Sequence, residues 1–227
     1  MKLLALDTAT EACSAALLID GEMLERFEVQ PRKHAELILP MLDSLLAEAQ
    51  LSLSQIDAIA FGRGPGAFTG VRIATGVVQG IAYAADLPVA PVSTLQALAQ
   101  RAFADFAAER VLAAFDARME EVYWAAYELD GQQLMRLRDE ELVIRPQQLQ
   151  LQYEGDWLAA GSGWQTYQQQ LSDSLQTTVS RIEAGLITRA REVALLGADL
   201  YQSDQLVSAE QALPVYLRNQ VAWKKSG

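Results

Sequence analysis

The chain has 227 residues, 51% of them hydrophobic, which is enough for one large domain or two small ones with well-packed cores. Its formal net charge is −11 and it contains no long basic run, so we expect the chain alone to bind tRNA or DNA poorly. A single cysteine, Cys13, excludes an internal disulfide and a cysteine-based metal cluster, and no apolar run is long enough to span a membrane, so the sequence predicts a soluble, cytoplasmic protein.

Three predicted strands open the chain. They cover Lys2–Asp7, Cys13–Ile19 and Glu22–Val29, and an Asp-Gly pair between the second and third strands is a strong hairpin signal. A polar turn follows Asp7, so the opening is a β-meander with an aspartate at the end of its first strand. A helix is predicted over Arg32–Gln50 by apolar residues at helical spacing, and Pro40 either kinks this helix or lies near its start.

A glycine-rich loop, Gly62–Arg72, follows a predicted buried strand at Ile56–Phe61 and precedes a predicted helix at Ile73–Ala84. Glycines in such a loop permit positive φ angles and the close approach of a backbone or a ligand, and a helix N-terminus favours anions. The loop lacks the lysine of a Walker motif, and it fits the dinucleotide fingerprint only if Ala67 replaces the last glycine. Two interpretations stay open: the loop shapes backbone packing, or it grips a nucleotide.

The helix after the loop carries small residues at intervals of four, at Gly76, Gly80 and Ala84. Small residues at this spacing let two helices approach closely. Glycine costs about 1 kcal/mol relative to alanine inside a helix, so close packing is the expected compensation. The packing partner is either the protein's own sheet or another subunit. A short strand at Leu87–Val92 and a helix from Ser93 to about residue 108 are predicted next.

The opening pattern returns in the second half. A predicted strand at Val111–Phe115 ends in Asp116, and a strand at Val122–Leu129, an Asp-Gly turn and a strand at Gln132–Arg138 follow. Two copies of one opening indicate an internal duplication. The remaining predicted elements are a short helix over Glu141–Tyr153, a strand at Trp157–Ala160 that leads into a glycine turn and a helix, a helix at Thr188–Tyr201 and a terminal segment at Pro214–Arg218.

Two meander halves, each with an aspartate after its first strand, resemble the actin and sugar-kinase superfamily, in which ATP lies between two lobes. The resemblance implies an α/β fold of two duplicated actin-like, sugar-kinase-like lobes, each a mixed sheet with flanking helices. We expect an N-terminal lobe at residues 1–108, which carries the partner-binding helices. We expect a smaller, diverged C-terminal lobe at residues 109–227, whose last helix packs back on the first lobe.

Four segments make the resemblance more specific. With Leu6–Ser14, His34–Pro40, Gly64–Arg72 and Pro214–Arg218 the chain resembles the TsaB (YeaZ) family, and the third segment is the most specific of them. The resemblance implies a non-catalytic scaffold or activating subunit of the complex that adds threonylcarbamoyl to the adenosine next to the anticodon of tRNA (the t6A modification). The alternative is a small-molecule kinase or ATPase of the same superfamily that uses Asp7 as a metal ligand.

The resemblance also implies the partners. A TsaD-like paralogue, which holds the metal and transfers the threonylcarbamoyl group, forms a heterodimer with the chain, and a TsaE-like P-loop ATPase joins them. When alone, the chain is expected to form a homodimer. It is expected to reach tRNA only through the complex and to contact no membrane. We expect no cofactor of its own, with ATP or ADP at the cleft or at the interface of the complex.

The residues themselves predict no catalytic or metal site. A His-x-x-x-His metal motif needs two histidines four residues apart, but the chain has only His34, and Ile38 occupies the matching position. His34 is instead expected at the surface, at the start of a helix. The turn after Asp116 carries Glu120 and Glu121, which would repel a polyphosphate.

Two sets of candidate residues follow from the helices and the turns. By their positions, Asp7 and Asp116 are either magnesium ligands or aspartates that only cap the turns at strand ends. The expected partner interface consists of Leu37, Met41, Leu45, Ala74, Gly76 and Gly80. The expected vestigial nucleotide cleft consists of Asp7, Thr8, Thr10, Gly64, Gly66, Thr69 and Asp116.

Overall fold

Two mixed β-sheets with flanking helices organise the chain in the computed structural model, which describes residues 1–149 and 152–218. The first half contains β1 (Lys2–Asp7), β2 (Ala12–Ile19), β3 (Glu22–Val29), α1 (His34–Ala49), β4 (Ala58–Gly62), α2 (Phe68–Ala85), β5 (Val89–Val92) and α3 (Thr94–Phe106). The second half contains β6 (Arg110–Arg118), β7 (Glu121–Leu129), β8 (Met135–Leu137), β9 (Leu142–Ile144), β10 (Asp156–Ala160), α4 (Ser162–Ser174), β11 (Thr178–Glu183) and α5 (Ala190–Gln202).

The two sheets repeat one topology. The first has the strand order β3-β2-β1-β4-β5, and the second has the order β8-β7-β6-β10-β11, with β9 also paired to β7. In each sheet the meander strands are antiparallel, the central strand pairs in parallel with its neighbour on the other side, and that neighbour pairs in parallel with the edge strand. The parallel crossovers need helices, which α1, α2 and α4 supply. This repeat confirms the predicted α/β fold class of two duplicated lobes.

The last helix of each half covers the sheet of the other half. Helix α3 places Leu95, Leu98 and Ala102 in a core with residues of β6, β7 and β10. Helix α5 places Val193 and Ala194 in a core with residues of β1, β2, β4 and β5. The apolar face of α5 is therefore buried by strands that lie far away in sequence, whereas α3 packs on strands that follow it closely in the chain. The division between residues 108 and 109 stays a prediction, and α5, which follows it, packs on the first sheet.

Helices α1 and α2 cover the opposite face of the first sheet. Helix α1 contributes Ile38, Met41, Leu42 and Leu45 to one core, and α2 adds alanine and valine side chains at helical spacing. Helix α1 runs through Pro40 and ends at Ala49, where Gln50 adopts a left-handed conformation. Because these apolar residues face β1, β2 and β4, the stripe predicted on α1 is an interior surface of the first lobe.

Three sequence predictions differ from the structure. The helix predicted over Glu141–Tyr153 is wrong, because strand β9 pairs with β7 and a single 3-10 turn follows at Pro146–Gln148; residues 150–151 of the predicted span lie outside the described residues. Helix α2 begins five residues earlier than predicted, at Phe68 rather than Ile73. Strand β11 was not predicted, because its mostly polar edge sequence gives no apolar alternation.

Within the part of the chain that the structure describes, no helix is both long enough and apolar enough to cross a membrane.

Glu192 is a buried carboxylate at the contact between helices α3 and α5. It lies in the first turn of α5 and is fully buried, and neither of its oxygens accepts a hydrogen bond from the described residues. The guanidinium of Arg101 on α3 is 3.6 Å from its Oε1, and Glu25 on β3 and Arg189 also act on it electrostatically. Burial raises the pKa of Glu192 to about 7, against the opposing effect of Arg101. The folded protein therefore retains this proton near neutral pH.

We expect Glu192 to make the protein less stable as the pH rises. Its pKa is about 7 in the folded chain against an ordinary value of 4.5, so its favourable contribution is complete below 4.5 and lost as the pH rises through 7. A shift of this size corresponds to roughly 3 kcal/mol. In urea denaturation at pH 4.5 and pH 8, Glu192→Gln should be more stable than the parent at pH 8 only. Glu109→Gln, on the exposed surface, is the matched control. A parallel pH profile for Glu192→Gln and the parent would contradict this assignment.

Candidate functional site

Asp7 closes the turn at the end of β1. Its side chain is buried, its Oδ1 accepts a hydrogen bond of 2.9 Å from the backbone N–H of Ala9, and its Oδ2 accepts one of 2.5 Å from the hydroxyl of Thr188. Burial raises the pKa of Asp7, and the hydrogen bonds from Thr188 and Ala9 act in the opposite direction. Both carboxylate oxygens thus already bind groups of the protein, and one of these groups belongs to the segment that leads into α5.

The glycine loop lies directly on this turn. The N–H of Ala67 donates to the carbonyl of Ala9 at 2.8 Å, and the hydroxyl of Thr8 donates to the carbonyl of Gly70 at 2.7 Å. A Cβ atom would lie 2.4 Å from the Ala9 carbonyl oxygen at Gly66, and 2.0 Å from the Thr8 carbonyl oxygen at Gly70. Only glycine permits contacts this close. Of the two interpretations of the loop, backbone packing accounts for these two glycines.

Two further elements hold the loop. Gly64 has a φ of +98°, and its carbonyl accepts a hydrogen bond from the N–H of Thr94 at 3.1 Å. The Thr94 hydroxyl donates to the carbonyl of Pro65 at 2.7 Å, which joins the loop to the start of α3. The N–H of Val215 donates to the carbonyl of Arg63 at 2.9 Å, which joins it to the terminal segment. Sequence reasoning missed Thr94 and Thr188, because their partners are distant in the chain and no local motif marks them.

The remaining cleft residues lie in different surroundings. Thr10 uses its carbonyl oxygen, which is 3.0 Å from Nε2 of His34. His34 is only 8% exposed, so its predicted surface position is wrong: the ring packs against the turn after β1, and Nε2 donates because a carbonyl can only accept. Thr69 is exposed in the first turn of α2. Asp116 lies in the second lobe and accepts hydrogen bonds from the backbone and side chain of Arg118.

The turn between β6 and β7 has an unusual backbone. Arg118, Met119 and Glu120 have φ values of 64°, 55° and 63°, so three consecutive residues other than glycine are left-handed. Arg218 supports this turn by donating to the carbonyl of Ala117 at 3.1 Å and by pairing with the carboxylate of Glu121. The terminal segment therefore connects the glycine loop of the first lobe to the turn between β6 and β7 of the second lobe.

The predicted partner-interface residues separate into two groups. Leu45 and Ala74 are completely buried and Met41 is 6% exposed, so a direct contact between these side chains and a partner is excluded in this fold. The correction has a simple cause, because their helices direct these side chains onto the first sheet. Leu37 packs against the same core but is only half-buried, so burial does not exclude a partner contact there. Gly76 and Gly80 are exposed, and a Cβ atom at either would meet nothing within 4 Å.

Helix α2 thus presents an exposed face, which we define by Phe68, Arg72, Gly76, Gly80 and Tyr83. Phe68 is 68% and Tyr83 77% exposed. Arg72 is the only charged residue of the helix, and its guanidinium carbon lies 3.2 Å from the Phe68 ring centroid. The face is smooth at its centre and aromatic at both ends, which suits close contact with another protein surface better than contact with water.

Known proteins of one family match this chain over nearly its whole length. The family model described as "TsaD: tRNA N6-adenosine threonylcarbamoyltransferase" matches residues 28–226. The protein of Escherichia coli K12 named "tRNA threonylcarbamoyladenosine biosynthesis protein TsaB" is 44% identical over 228 residues, which cover 99% of this chain and 98% of the relative. The chain belongs to the TsaB (YeaZ) family.

Other members of the TsaB family support this assignment. The Haemophilus influenzae protein of the same name is 44% identical over 233 residues, which cover 99% of this chain and 97% of that protein. The solved structure of "YeaZ from Pseudomonas aeruginosa" is 51% identical and superposes with a TM-score of 0.89 over 95% of this chain and 99% of the other. The family resemblance inferred from sequence motifs is confirmed.

Three of the four segments that resemble the TsaB family meet in space. The turn within Leu6–Ser14 contacts the glycine loop within Gly64–Arg72, and the loop contacts the terminal segment Pro214–Arg218. The fourth segment, His34–Pro40, joins them through the hydrogen bond between His34 and Thr10. The motifs of this family are therefore parts of one packed structural unit at the N-terminal end of α2.

Proposed function

We propose that the chain is a non-catalytic scaffold or activating subunit in the biosynthesis of threonylcarbamoyladenosine on tRNA. The observation that carries the proposal is the full-length match to relatives that bear the name of this pathway. The non-catalytic role is supported by the geometry at the glycine loop. Asp7 binds Thr188 and Ala9, and Gly66 and Gly70 contact backbone carbonyls, so these groups serve the packing of the protein itself.

The exposed face of α2 is the proposed surface for the heterodimer with a TsaD-like paralogue. Helix α2 has 18 residues and only one charged side chain, although the chain as a whole has a net charge of −11. The open space above Gly76 and Gly80 allows a partner helix to approach the backbone closely. The same face would serve a homodimer when the paralogue is absent. In this proposal the buried residues Met41, Leu45 and Ala74 support the face from below.

The other components enter through the complex. A TsaE-like P-loop ATPase joins the heterodimer, and tRNA binds where other subunits supply the positive charge, because phosphate neutralisation dominates nucleic-acid affinity. An ATP or ADP molecule at the cleft or at the interface of the complex is part of the proposal, and Thr69 brings an exposed hydroxyl to the glycine loop.

Reconstitution tests the proposed role. The purified chain, a TsaD-like subunit and a TsaE-like ATPase are combined with tRNA, ATP and a source of activated threonylcarbamoyl groups. Modified adenosine should appear with all components and fall strongly when the chain is omitted. The chain alone should neither modify tRNA nor turn over ATP. Full activity without the chain, or ATP turnover by the isolated chain, would contradict the proposal.

Replacing Gly80 by Leu tests the surface. We expect at least a tenfold loss of affinity for the TsaD-like subunit, because the added side chain separates the helices, and a melting temperature no lower than that of the parent, because the new Cβ atom meets nothing within 4 Å in the chain itself and leucine is a better helix former than glycine. Isothermal titration calorimetry and circular dichroism measure the two quantities. Gly185→Leu, at another exposed glycine with open space, is the matched control. Normal partner affinity for Gly80→Leu would remove this face from the proposal.

A further inference from the structure

The segment that leads into α5 lies over the turn after β1. The hydroxyl of Thr188 donates to Oδ2 of Asp7 at 2.5 Å, and the N–H of Ala190 donates to the hydroxyl of Ser14 at 2.8 Å. All four of these residues are buried, so the contact excludes water. Residues 184–189, which connect β11 to α5, belong to no helix or strand, and segments of this kind open locally at low cost.

The same segment carries the buried carboxyl group of Glu192. Its two oxygens accept no hydrogen bond from the described residues, and Oε1 of Glu25 on β3 is a third buried oxygen without one. Two guanidinium groups lie just beyond hydrogen-bonding distance: Arg101 is 3.6 Å from Glu192, and Arg189 is 3.6 Å from Glu25. An ionised Glu192 is therefore a buried charge with incomplete compensation, which is energetically costly.

The charged groups around Glu192 come from α3, from β3 and from the residue before α5. Arg101 on α3 also pairs with Asp105 at 2.8 Å, so its charge is shared between two carboxylates. Glu25 on β3 adds negative charge, and Arg189 divides its charge between Glu25 and Glu192. Strands β1, β2, β4 and β5 present apolar side chains to α5. Burial and Glu25 outweigh the two arginines, and the pKa of Glu192 rises to about 7.

We propose that residues 188–192 form a latch over the turn after β1, which is closed while Glu192 carries a proton and opens locally when Glu192 is ionised. Opening brings the carboxylate into water and breaks the hydrogen bonds from Thr188 to Asp7 and from Ala190 to Ser14. Asp7 and the turn that holds the glycine loop then become accessible. The latch is independent of the proposed role in tRNA modification, and its test requires no partner.

The direction of the pH effect follows from the two states of the latch. The pKa of Glu192 is about 7 in the closed latch and returns towards its ordinary value of 4.5 when the carboxyl group meets water. Opening therefore releases a proton between these two pH values, so the closed latch is favoured most below 4.5 and least above 7. The ratio of open to closed latch should rise by up to about 300-fold over this interval.

Hydrogen exchange of backbone amides, measured by NMR on the full chain, tests the latch. The amide of Ala190 is the probe because it donates to Ser14 in the closed latch, and the amide of Ala5 in the central strand β1 reports global unfolding. After correction for intrinsic exchange rates, the protection of Ala190 should fall by about thirtyfold or more from pH 4.5 to pH 8. It should also be about tenfold lower than that of Ala5 at both pH values. Equal protection of the two amides would overturn the proposal, because the segment would then open only on global unfolding.

Two substitutions identify the group that operates the latch. Glu192→Gln should remove the pH dependence of Ala190 protection, because glutamine keeps the shape of the protonated acid but does not titrate. Glu25→Gln should end the transition at a lower pH, because Glu25 raises the pKa of Glu192. Glu28→Gln, at an exposed position of the same strand, is the matched control. A parental pH dependence in Glu192→Gln would overturn the proposal, and if that variant does not fold, an unshifted transition in Glu25→Gln would do so.

Thr188→Val tests the contact with the turn after β1. Valine keeps the shape of threonine but cannot donate to Asp7, so the protection of Ala190 should fall by about fivefold or more already at pH 4.5. Thr166→Val, at an exposed threonine of α4, is the matched control. Parental protection of Ala190 in Thr188→Val would mean that the bond to Asp7 does not hold the latch, which would overturn the proposed contact.

Discussion

Replacing Leu45 by Asp is expected to unfold the first lobe. Leu45 is 0% exposed and packs in the core between α1 and the first sheet, together with Leu4, Leu6 and Leu42. An unpaired carboxylate there loses its hydration, and the lost leucine contacts alone cost about 2–5 kcal/mol. Domains of this kind are stable by only about 5–15 kcal/mol. Far-UV circular dichroism and thermal melting should show a largely unfolded chain at temperatures where the parent is native.

Leu39→Asp is the matched control for this change. Leu39 lies on the same helix but is 48% exposed, so its replacement should alter the free energy of unfolding by less than about 0.5 kcal/mol. Comparing Leu45→Asp with Leu39→Asp therefore shows whether the apolar stripe of α1 packs in the core or binds a partner. If Leu45→Asp melted like the parent but lost its partner, Leu45 would belong to the interface after all.

Replacing Gly70 by Ala is expected to destabilise the protein by about 3 kcal/mol, through overpacking where two backbones touch. The new Cβ atom would lie 2.0 Å from the carbonyl oxygen of Thr8, and backbone on both sides leaves no flexible side chain to move. The hydrogen bond from the Thr8 hydroxyl to the Gly70 carbonyl would be lost as the loop shifts. Urea denaturation, followed by tryptophan fluorescence, measures the change in unfolding free energy.

Gly76→Ala gives the opposite expectation on the same helix. Its Cβ atom meets nothing within 4 Å, and alanine is favoured over glycine in a helix by about 0.5–1 kcal/mol, so this variant should be slightly more stable than the parent. Two glycine-to-alanine changes, six residues apart, should therefore have opposite signs. Equal effects would mean that helix propensity, and not contact with the turn after β1, determines the identity of residue 70.

Local signals in the sequence predicted much of this fold. The two Asp-Gly turns and the aspartates at strand ends marked both meanders, because a hairpin depends on residues close together in the chain. The Gly64–Arg72 motif, the most specific of the segments that resemble the TsaB family, identified the correct family. Strand β9 could not be predicted in this way, since its pairing with the edge of β7 depends on tertiary contact rather than on its own polarity.

The candidate site was less predictable than the fold, because an apolar pattern does not identify the surface that covers it. The stripe of Leu37, Met41 and Leu45 indicates that one side of α1 is buried, but not whether the covering surface is the protein's own sheet or a partner. The structure places its own sheet there. Likewise, Thr188 hydrogen-bonds to Asp7 across 181 residues of chain, and the sequence contains no local mark of that contact. The exposure of Gly76 and Gly80 likewise became visible only in three dimensions.

Helix α3 of the first half covers the second sheet, and helix α5 of the second half covers the first sheet. This arrangement affects how the chain folds during synthesis on the ribosome. When residue 108 has been made, all five strands of the first sheet exist, but one face of that sheet still lacks its cover. Side chains such as Leu3, Ala5 and Ala60 stay accessible to water until α5, residues Ala190–Gln202, has emerged. The first half therefore reaches its native packing only after α5 has been synthesised. Until then the nascent chain exposes an apolar surface that chaperones can bind.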